Sequence, residues 1–118
     1  MHEFSIGQTI VETVIAEVTK RDPVPSRVLT TRIVVGKLRQ LVPEYLQFAY
    51  EQLTKDTIAE GSSLEISHKP IIGKCEACGW QGEMDIDGFL CKQCNAHSAE
   101  IVSGRELYLE SLEIEEDD

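Results

Sequence analysis

Two stretches of the chain repeat apolar residues at helical spacing. In the first stretch the apolar positions are Ile6, Ile10, Val11, Val14, Ile15 and Val18. This period predicts an amphipathic helix over residues 5–20, with Ser5 and Gln8 forming a capping box. The second stretch begins at Pro43, which suits the first position of a helix. Its apolar stripe is Tyr45, Leu46, Ala49, Tyr50 and Leu53. We expect this second helix to fray before Gly61.

Three other stretches have the pattern of β-strands. Residues 28–36 form a β-branched run, and residues 64–69 alternate between apolar and polar side chains. The third stretch, residues 105–114, also alternates, but its apolar residues change parity between Leu109 and Leu112. That change predicts a β-bulge near Glu110 and Ser111. The pattern as a whole predicts an α+β fold in which a three-stranded sheet carries two helices.

The segment between the second and third of these strands contains all four cysteines of the chain. Cys75 and Cys78 form one C-x-x-C pair, and Cys91 and Cys94 form a second pair after twelve intervening residues. Two such turns facing each other place four thiolates at the corners of a tetrahedron, as in a structural zinc site. We therefore expect an inserted zinc-ribbon-like module over residues 71–103. The sheet domain would then comprise residues 1–70 and 104–118.

Other uses of the four cysteines fit the pattern less well. Iron in the same four-thiolate site would make the chain a rubredoxin-like electron carrier. Two redox disulfides would need a βαβ context, which the pattern lacks. A catalytic zinc ion would need an open coordination position, and four protein thiolates leave none. A closed structural zinc site fits the spacing best, and the iron site is the next alternative.

Charge and composition exclude several classes of function. The formal net charge of −10 argues against nucleic acid as a partner, because binding to a phosphate backbone needs a basic surface. No run approaches the ~20 apolar residues that cross a bilayer, and the start resembles no signal peptide. We therefore expect no membrane partner and a cytoplasmic location. No phosphate-binding glycine loop or nucleophile–base pair is present, so we expect no enzyme activity. A zinc-ribbon adaptor that binds other proteins stays an alternative.

The first residues, Met1-His2-Glu3, have the chemistry of a second metal site. The terminal amine, the deprotonated amide nitrogen of His2 and its imidazole can form adjacent chelate rings, and the amide nitrogen of Glu3 can complete a square. Planar nitrogen donors suit Cu(II) and Ni(II). A chance histidine at a disordered terminus is the simpler interpretation. His68 and His97 are further candidate ligands, although a partly buried structural role for His68 and a surface position for His97 are simpler.

Three features occur together in this chain: a Met-His-Glu start before an amphipathic helix, two late C-x-x-C pairs, and the closing segment 104–115. In this combination the chain resembles the HypA/HybF family of hydrogenase-maturation nickel metallochaperones. Gly36-Lys37-Leu38 is also similar to the family pattern. The second C-x-x-C turn departs from it, because Lys92 and Asn95 stand where proline and glycine are common. That departure concerns the geometry of the turn and leaves the zinc ligands in place.

The resemblance implies a nickel-binding α/β domain with an inserted zinc domain. Ni²⁺ would be the cargo, held by Met1, His2 and Glu3. Zn²⁺ would be a structural metal, and its implied ligands are Cys75, Cys78, Cys91 and Cys94. The implied partners are a HypB-type GTPase and the large subunit of [NiFe] hydrogenase, with urease maturation proteins in some members of the family.

Overall fold

The chain folds into two helices and six strands in a computed structural model that describes residues 2–86, 89–97 and 99–116. The elements in chain order are α1 (Glu3–Thr19), β1 (Arg27–Gly36), a 3-10 turn (Lys37–Arg39), α2 (Pro43–Leu53), β2 (Ser63–Lys69), β3 (Ile72–Cys75), β4 (Gln81–Glu83), β5 (Ala99–Ser103) and β6 (Leu107–Glu115). The strands form two sheets, with the orders β2-β1-β6 and β4-β3-β5. The predicted α+β fold, with one three-stranded sheet, two helices and a module built on two C-x-x-C turns, is confirmed.

The elements divide between two compact units. The first unit comprises Met1–Val34, Leu41–Ser67 and Tyr108–Asp118, and the second comprises Val35–Gln40 and His68–Leu107. Both helices lie in the first unit. The sheet of short strands and all four cysteines lie in the second unit. None of the helices in the described part of the chain is both long and apolar enough to cross a membrane.

The core of the first unit forms where the two helices meet each other and the long sheet. Its buried side chains are Ile10, Val11, Val14 and Val18 of α1, Val28, Ile33 and Val34 of β1, and Leu46, Ala49 and Tyr50 of α2. Burying each large aliphatic side chain contributes about 1.5–3 kcal/mol. The helices approach closely at Gly7, where an added Cβ would lie 3.3 Å from both the Ala49 Cβ and the Leu53 Cδ1.

A chain of hydrogen bonds links α2 to the sheet inside this core. The hydroxyl of Tyr50 lies 2.7 Å from the Thr31 Oγ1 and 2.6 Å from the Ser62 Oγ. Ser62 donates onward to the carbonyl oxygen of Ala59. Ser62 therefore accepts from Tyr50, and Tyr50 accepts from Thr31. Each of these three hydroxyls has a partner, so the hydrogen bonds offset the cost of removing the hydroxyls from water.

The first helix begins two residues earlier than the sequence predicted. Its N-cap is His2, without a side-chain cap, and the Ser5 hydroxyl donates to the His2 carbonyl oxygen at 3.1 Å. The predicted capping box of Ser5 and Gln8 is therefore wrong. The reason is a contact distant in sequence: the buried carboxylate of Glu3 accepts a hydrogen bond of 3.0 Å from the Val42 backbone N–H. This bond fixes the first turn of α1 to the start of α2.

The last strand shows the predicted change of parity. Its half-buried apolar residues are Leu107, Leu109, Leu112 and Ile114, and the residues at positions 108, 110, 113 and 115 are exposed. The alternation shifts by one position between Ser111 and Leu112. All four apolar side chains are therefore half-buried, as the predicted irregularity requires.

A short segment, Val35–Gln40, belongs to the second unit although it continues β1. Gly36 N–H donates to the Glu106 carbonyl at 2.8 Å, and Leu38 N–H donates to the Gly104 carbonyl at 2.9 Å. A Cβ on Gly36 would overlap the Gly104 carbonyl group. Only glycine allows the two backbones to approach this closely.

Candidate metal centre

The four cysteine sulfurs of the second unit lie together at one site. All four Sγ atoms are within 4.8 Å of one another. The Sγ atoms of Cys75 and Cys94 are 3.7 Å apart, and those of Cys78 and Cys91 are 3.6 Å apart. Four sulfurs bound to one zinc ion at 2.3 Å would be separated by about 3.8 Å. The thiols therefore have the spacing of a four-thiolate metal site and fit a tetrahedral ion.

The two C-x-x-C turns repeat one hydrogen-bond pattern. In the first turn, Cys75 N–H donates to the Trp80 carbonyl and Gly79 N–H donates to the Cys75 carbonyl, at 2.7 and 2.9 Å. In the second turn, Cys91 N–H donates to the Ala96 carbonyl and Asn95 N–H donates to the Cys91 carbonyl, at 3.0 and 2.9 Å. Gly79 and Asn95 occupy the same position and have φ of 83° and 63°. Asparagine therefore takes the left-handed conformation that glycine takes in the first turn.

Short antiparallel strands hold the first turn in place. Cys75 is the last residue of β3, and β3 pairs with β4 on one side and β5 on the other. Buried Met84 lies against Gly73 of β3, where a Cβ would overlap its sulfur. The strands of this module were not predicted, because segments of three to five residues carry too few side chains to show a periodicity.

Two backbone N–H groups also approach one sulfur of the cysteine cluster. Gln93 N–H and Cys94 N–H approach the Cys91 Sγ at 3.3 and 3.4 Å. Such donors stabilise a thiolate. The sequence signals them only through the spacing of the C-x-x-C turn, because they involve no particular side chain.

The thiols differ strongly in their affinity for protons when no cation is bound. Burial raises the pKa of the Cys91 thiol, but the N–H groups of Cys94 and Gln93 and the neighbouring thiols outweigh it and lower the pKa to about 6. The Trp80 N–H lowers the pKa of Cys78, but desolvation and hydrogen bonds with the other thiols raise it to about 12. Ionising every thiol together would crowd four negative charges. A divalent cation would compensate the repulsion between the thiolates, and its binding would release protons from the thiols.

The other candidate ligands lie elsewhere. Met1 is outside the described residues. His2 is exposed, so its imidazole is accessible. Its carbonyl accepts hydrogen bonds from Ile6 N–H and the Ser5 hydroxyl, so its backbone begins the helix. The hydrogen bond from Val42 N–H lowers the pKa of the Glu3 carboxyl and occupies its side chain. No local pattern in the sequence signals this bond, because Val42 is 39 positions away from Glu3.

The remaining two histidines are surface residues. His68 and His97 are both exposed, and neither belongs to the cysteine cluster. The partly buried role considered for His68 is therefore wrong, and the surface position expected for His97 is confirmed. His68 lies near the end of β2, where the burial along the strand decreases from Leu64 onward.

Comparison with known proteins agrees with the fold. Residues 1–114 match the family described as "Hydrogenase/urease nickel incorporation, metallochaperone, hypA". This chain belongs to the HypA family. The resemblance inferred from the Met-His-Glu start and the two C-x-x-C turns is thereby confirmed.

Individual members of the HypA family match along almost their full length. The hydrogenase maturation factor HypA of Geobacter metallireducens is 36% identical over 117 residues, which cover 98% of this chain and all of that protein. The HypA of Desulfosudis oleivorans is 36% identical over 116 residues, which cover 98% of this chain and all of that protein. The solution structure of the Ni metallochaperone HypA from Helicobacter pylori matches with a TM-score of 0.67 at 18% identity. That match covers 99% of this chain and all of the other, and shows likeness of fold.

Proposed function

We propose that this chain is a nickel metallochaperone that binds Ni²⁺ at its amino terminus and delivers it for the maturation of [NiFe] hydrogenase. Zn²⁺ would be its resident metal, held by the four cysteines in a structural role without catalysis. We place the protein in the cytoplasm and divide it into a nickel-binding domain, residues 1–70 and 104–118, and a zinc-binding domain, residues 71–103. Membership of the HypA family is the observation that carries the proposal.

The geometry of the first residues supports a terminal chelate. The first N–H groups of a helix have no partner within the helix. The amide nitrogens of His2 and Glu3 occupy this position at the start of α1, so binding a metal there breaks no helical hydrogen bond. The imidazole of His2 is exposed and can join the amine of Met1 and these nitrogens around a planar ion. Glu3 would contribute its backbone nitrogen, since its carboxylate already accepts from Val42.

The chemistry of such a chelate suits the handling of a cargo. Metal and protons compete for the same amide and imidazole nitrogens, so nickel is released as the pH falls. Copper should bind more tightly than nickel at these donors, following the Irving–Williams order. Selectivity for nickel would therefore come from its supply and from partners. The proposed partners are a HypB-type GTPase and the hydrogenase large subunit, with urease maturation proteins as further recipients.

Nickel titration of the untagged, zinc-loaded chain tests the proposal. The test variants are His2→Ala and a form with one extra residue before Met1. The matched controls are His68→Ala and His97→Ala, which each remove an exposed imidazole elsewhere. We expect about one Ni²⁺ per chain for the wild type and both controls. We expect no stoichiometric binding by either test variant, with bound zinc unchanged. Wild-type binding by both test variants would refute the terminal site.

Metal analysis of the protein as purified tests the zinc assignment. The four-thiolate tetrahedron also accepts iron, which would give a coloured and redox-active protein. We expect a colourless protein with one zinc ion per chain. A stoichiometric iron content with reversible redox behaviour would contradict a structural zinc site and would indicate electron transfer as the function of the four cysteines.

A further inference from the structure

A pocket with a volume of about 430 Å³ lies within the second unit. Its lining combines two arginines with three apolar side chains, and these residues are Leu38, Arg39, Phe89, Ile101 and Arg105. We call this the two-arginine pocket. Its volume is in the range of sites that bind small organic molecules. None of the four cysteines lines it, so it is a different site from the candidate metal centre.

Backbone hydrogen bonds bring the two arginines together although they are distant in sequence. Leu38 N–H donates to the Gly104 carbonyl at 2.9 Å, which places the residues that follow each of them side by side. The Nε of Arg39 then donates to the Arg105 carbonyl oxygen, also at 2.9 Å. Arg39 is half-buried, and its two terminal nitrogens have no hydrogen-bond partner among the described residues. Its guanidinium group is therefore held in one orientation with its outer donors available to a ligand.

The charges of these two arginines are not compensated in the way that those of the other arginines are. Three of the five arginines in the chain form ion pairs with glutamates. These three are Arg21, Arg27 and Arg32, with N–O distances of 3.2, 2.6 and 3.0 Å. The other two, Arg39 and Arg105, take part in none of the ion pairs of the described residues, and both line the same pocket. This arrangement favours an anion that is supplied by a ligand.

The glutamates close to the pocket in sequence or in the fold are engaged elsewhere. The carboxylate of Glu106 accepts hydrogen bonds from the Ser103 hydroxyl and from Gly104 N–H. Glu83 pairs with Lys37, with an N–O distance of 3.8 Å. No acidic residue is among the described residues that line the pocket. The positive charge of the pocket is therefore left for a bound molecule.

The rest of the lining is apolar. Leu38, Phe89 and Ile101 are each half-buried. Phe89 has a φ of 49°, in the left-handed region that bulky residues rarely adopt. Residues held in such conformations are concentrated at binding sites. An inorganic anion would leave this apolar wall in contact with water, so the lining favours an anion that carries an apolar group.

We propose that the two-arginine pocket binds a carboxylate that is attached to an apolar group. The guanidinium groups of Arg39 and Arg105 donate to the two carboxylate oxygens, which together offer about four lone-pair sites. The apolar group covers Phe89 and Ile101. Such a ligand is either a free organic acid or the carboxyl-terminal residue of a polypeptide. The proposal goes beyond nickel delivery, because none of the residues involved belongs to the proposed nickel site.

NMR titration of the zinc-loaded, ¹⁵N-labelled chain tests the ligand class. The probe is N-acetyl-phenylalanine, and its amide is the matched control, because it has the same apolar group without the charge. We expect N-acetyl-phenylalanine to bind with a dissociation constant of about 1 mM or lower and to shift the backbone amides of residues 38, 39 and 105. We expect the amide, acetate and inorganic phosphate each to bind at least about tenfold more weakly. Equal affinity for phosphate, or no binding of N-acetyl-phenylalanine, would overturn the proposal.

Two glutamine variants test the arginines. We expect Arg39→Gln and Arg105→Gln each to weaken binding of N-acetyl-phenylalanine about tenfold. Arg105→Gln keeps the backbone carbonyl that accepts from Arg39, so it decides the matter even if Arg39→Gln changes the fold. The matched control is Lys74→Gln, which changes the net charge equally within the same unit. Lys74 pairs across the strands with Glu100, on the face of the sheet opposite to Ile101, and we expect its variant to bind within about twofold of wild type.

Bound zinc and Trp80 emission of each variant verify that the second unit is folded. Wild-type affinity of a folded Arg105→Gln for N-acetyl-phenylalanine would overturn the role of the arginines. The acetylated tripeptide Gly-Gly-Phe then separates the two sources of the carboxylate. Tighter binding of the tripeptide than of N-acetyl-phenylalanine would support a polypeptide carboxyl terminus as the ligand, and equal or weaker binding would support a free acid.

Discussion

Removing the metal should unfold the second unit and leave the helices of the first unit intact. Apart from cysteine, the buried apolar side chains described in the second unit are Val35, Ile71 and Met84. Three such side chains contribute about 5–9 kcal/mol through burial. A structural zinc ion contributes about 10–16 kcal/mol to the folding of a small four-ligand module. The metal therefore outweighs the apolar core of this unit.

The chain contains separate spectroscopic reporters for the two units. Trp80 is the only tryptophan, and it lies in the second unit between Cys78 and β4, with its ring against Gly82. Both helices lie in the first unit, so circular dichroism at the helical band reports mainly on that unit. On titration with a strong zinc chelator, the emission of Trp80 should shift to longer wavelength and the helical signal should persist. Added zinc should reverse the shift.

Two results would contradict this reasoning. If the helical signal disappears with the same midpoint as the Trp80 emission, the two units fold as one cooperative structure. If the Trp80 emission stays constant while all four thiols become reactive, the short sheet is stable without metal. The variant Cys91→Ser provides an independent check, since it removes a buried ligand without a chelator and should give the same shift.

Two further perturbations test the first unit. Tyr50→Phe removes the hydroxyl between Thr31 and Ser62 and leaves both of its partners unsatisfied. We expect urea denaturation to show a free energy of unfolding lower by about 1–3 kcal/mol. An unchanged urea midpoint would contradict the role of this hydrogen-bond chain. The pKa of Glu3 is lowered by the Val42 N–H, so its contribution to stability is present at neutral pH and is lost as the pH falls below its ordinary value of 4.5. Acid titration of the helical signal should show less of this loss in Glu3→Gln, and identical pH profiles would refute the assignment.

The sequence predicted those parts of the structure that depend on local pattern. The stripe from Ile10 to Val18 identified α1, and the two C-x-x-C pairs identified the four cysteines that cluster in the fold, because each signal repeats at a spacing fixed by the backbone. The parity shift in β6 was also predictable, since without an irregularity Leu112 and Ile114 would lie on the face opposite to Leu107 and Leu109. These features required no knowledge of distant contacts.

The errors arose where a distant contact decided the local structure. Ser5 and Gln8 have the side chains of a capping box, but the bond between Glu3 and Val42 extends α1 past them. Strands β3, β4 and β5 were not predicted, since their existence depends on mutual pairing and not on the alternation of a few side chains. The groove beside α2 could not be predicted for the same reason: residues 61–64 line it together with α2 only in the folded chain.

The backbone bonds between residues 36–38 and residues 104–106 determine the order in which the second unit can form during synthesis. Gly36 and Leu38 leave the ribosome long before Gly104 and Glu106, their partners in these bonds. At 5–20 residues per second the delay is about 3–13 seconds. All four cysteines are translated within that interval, because the last of them is Cys94. All four cysteines are therefore part of the nascent chain before the partners of these bonds have been synthesised, and the bonds close after the last cysteine has been added.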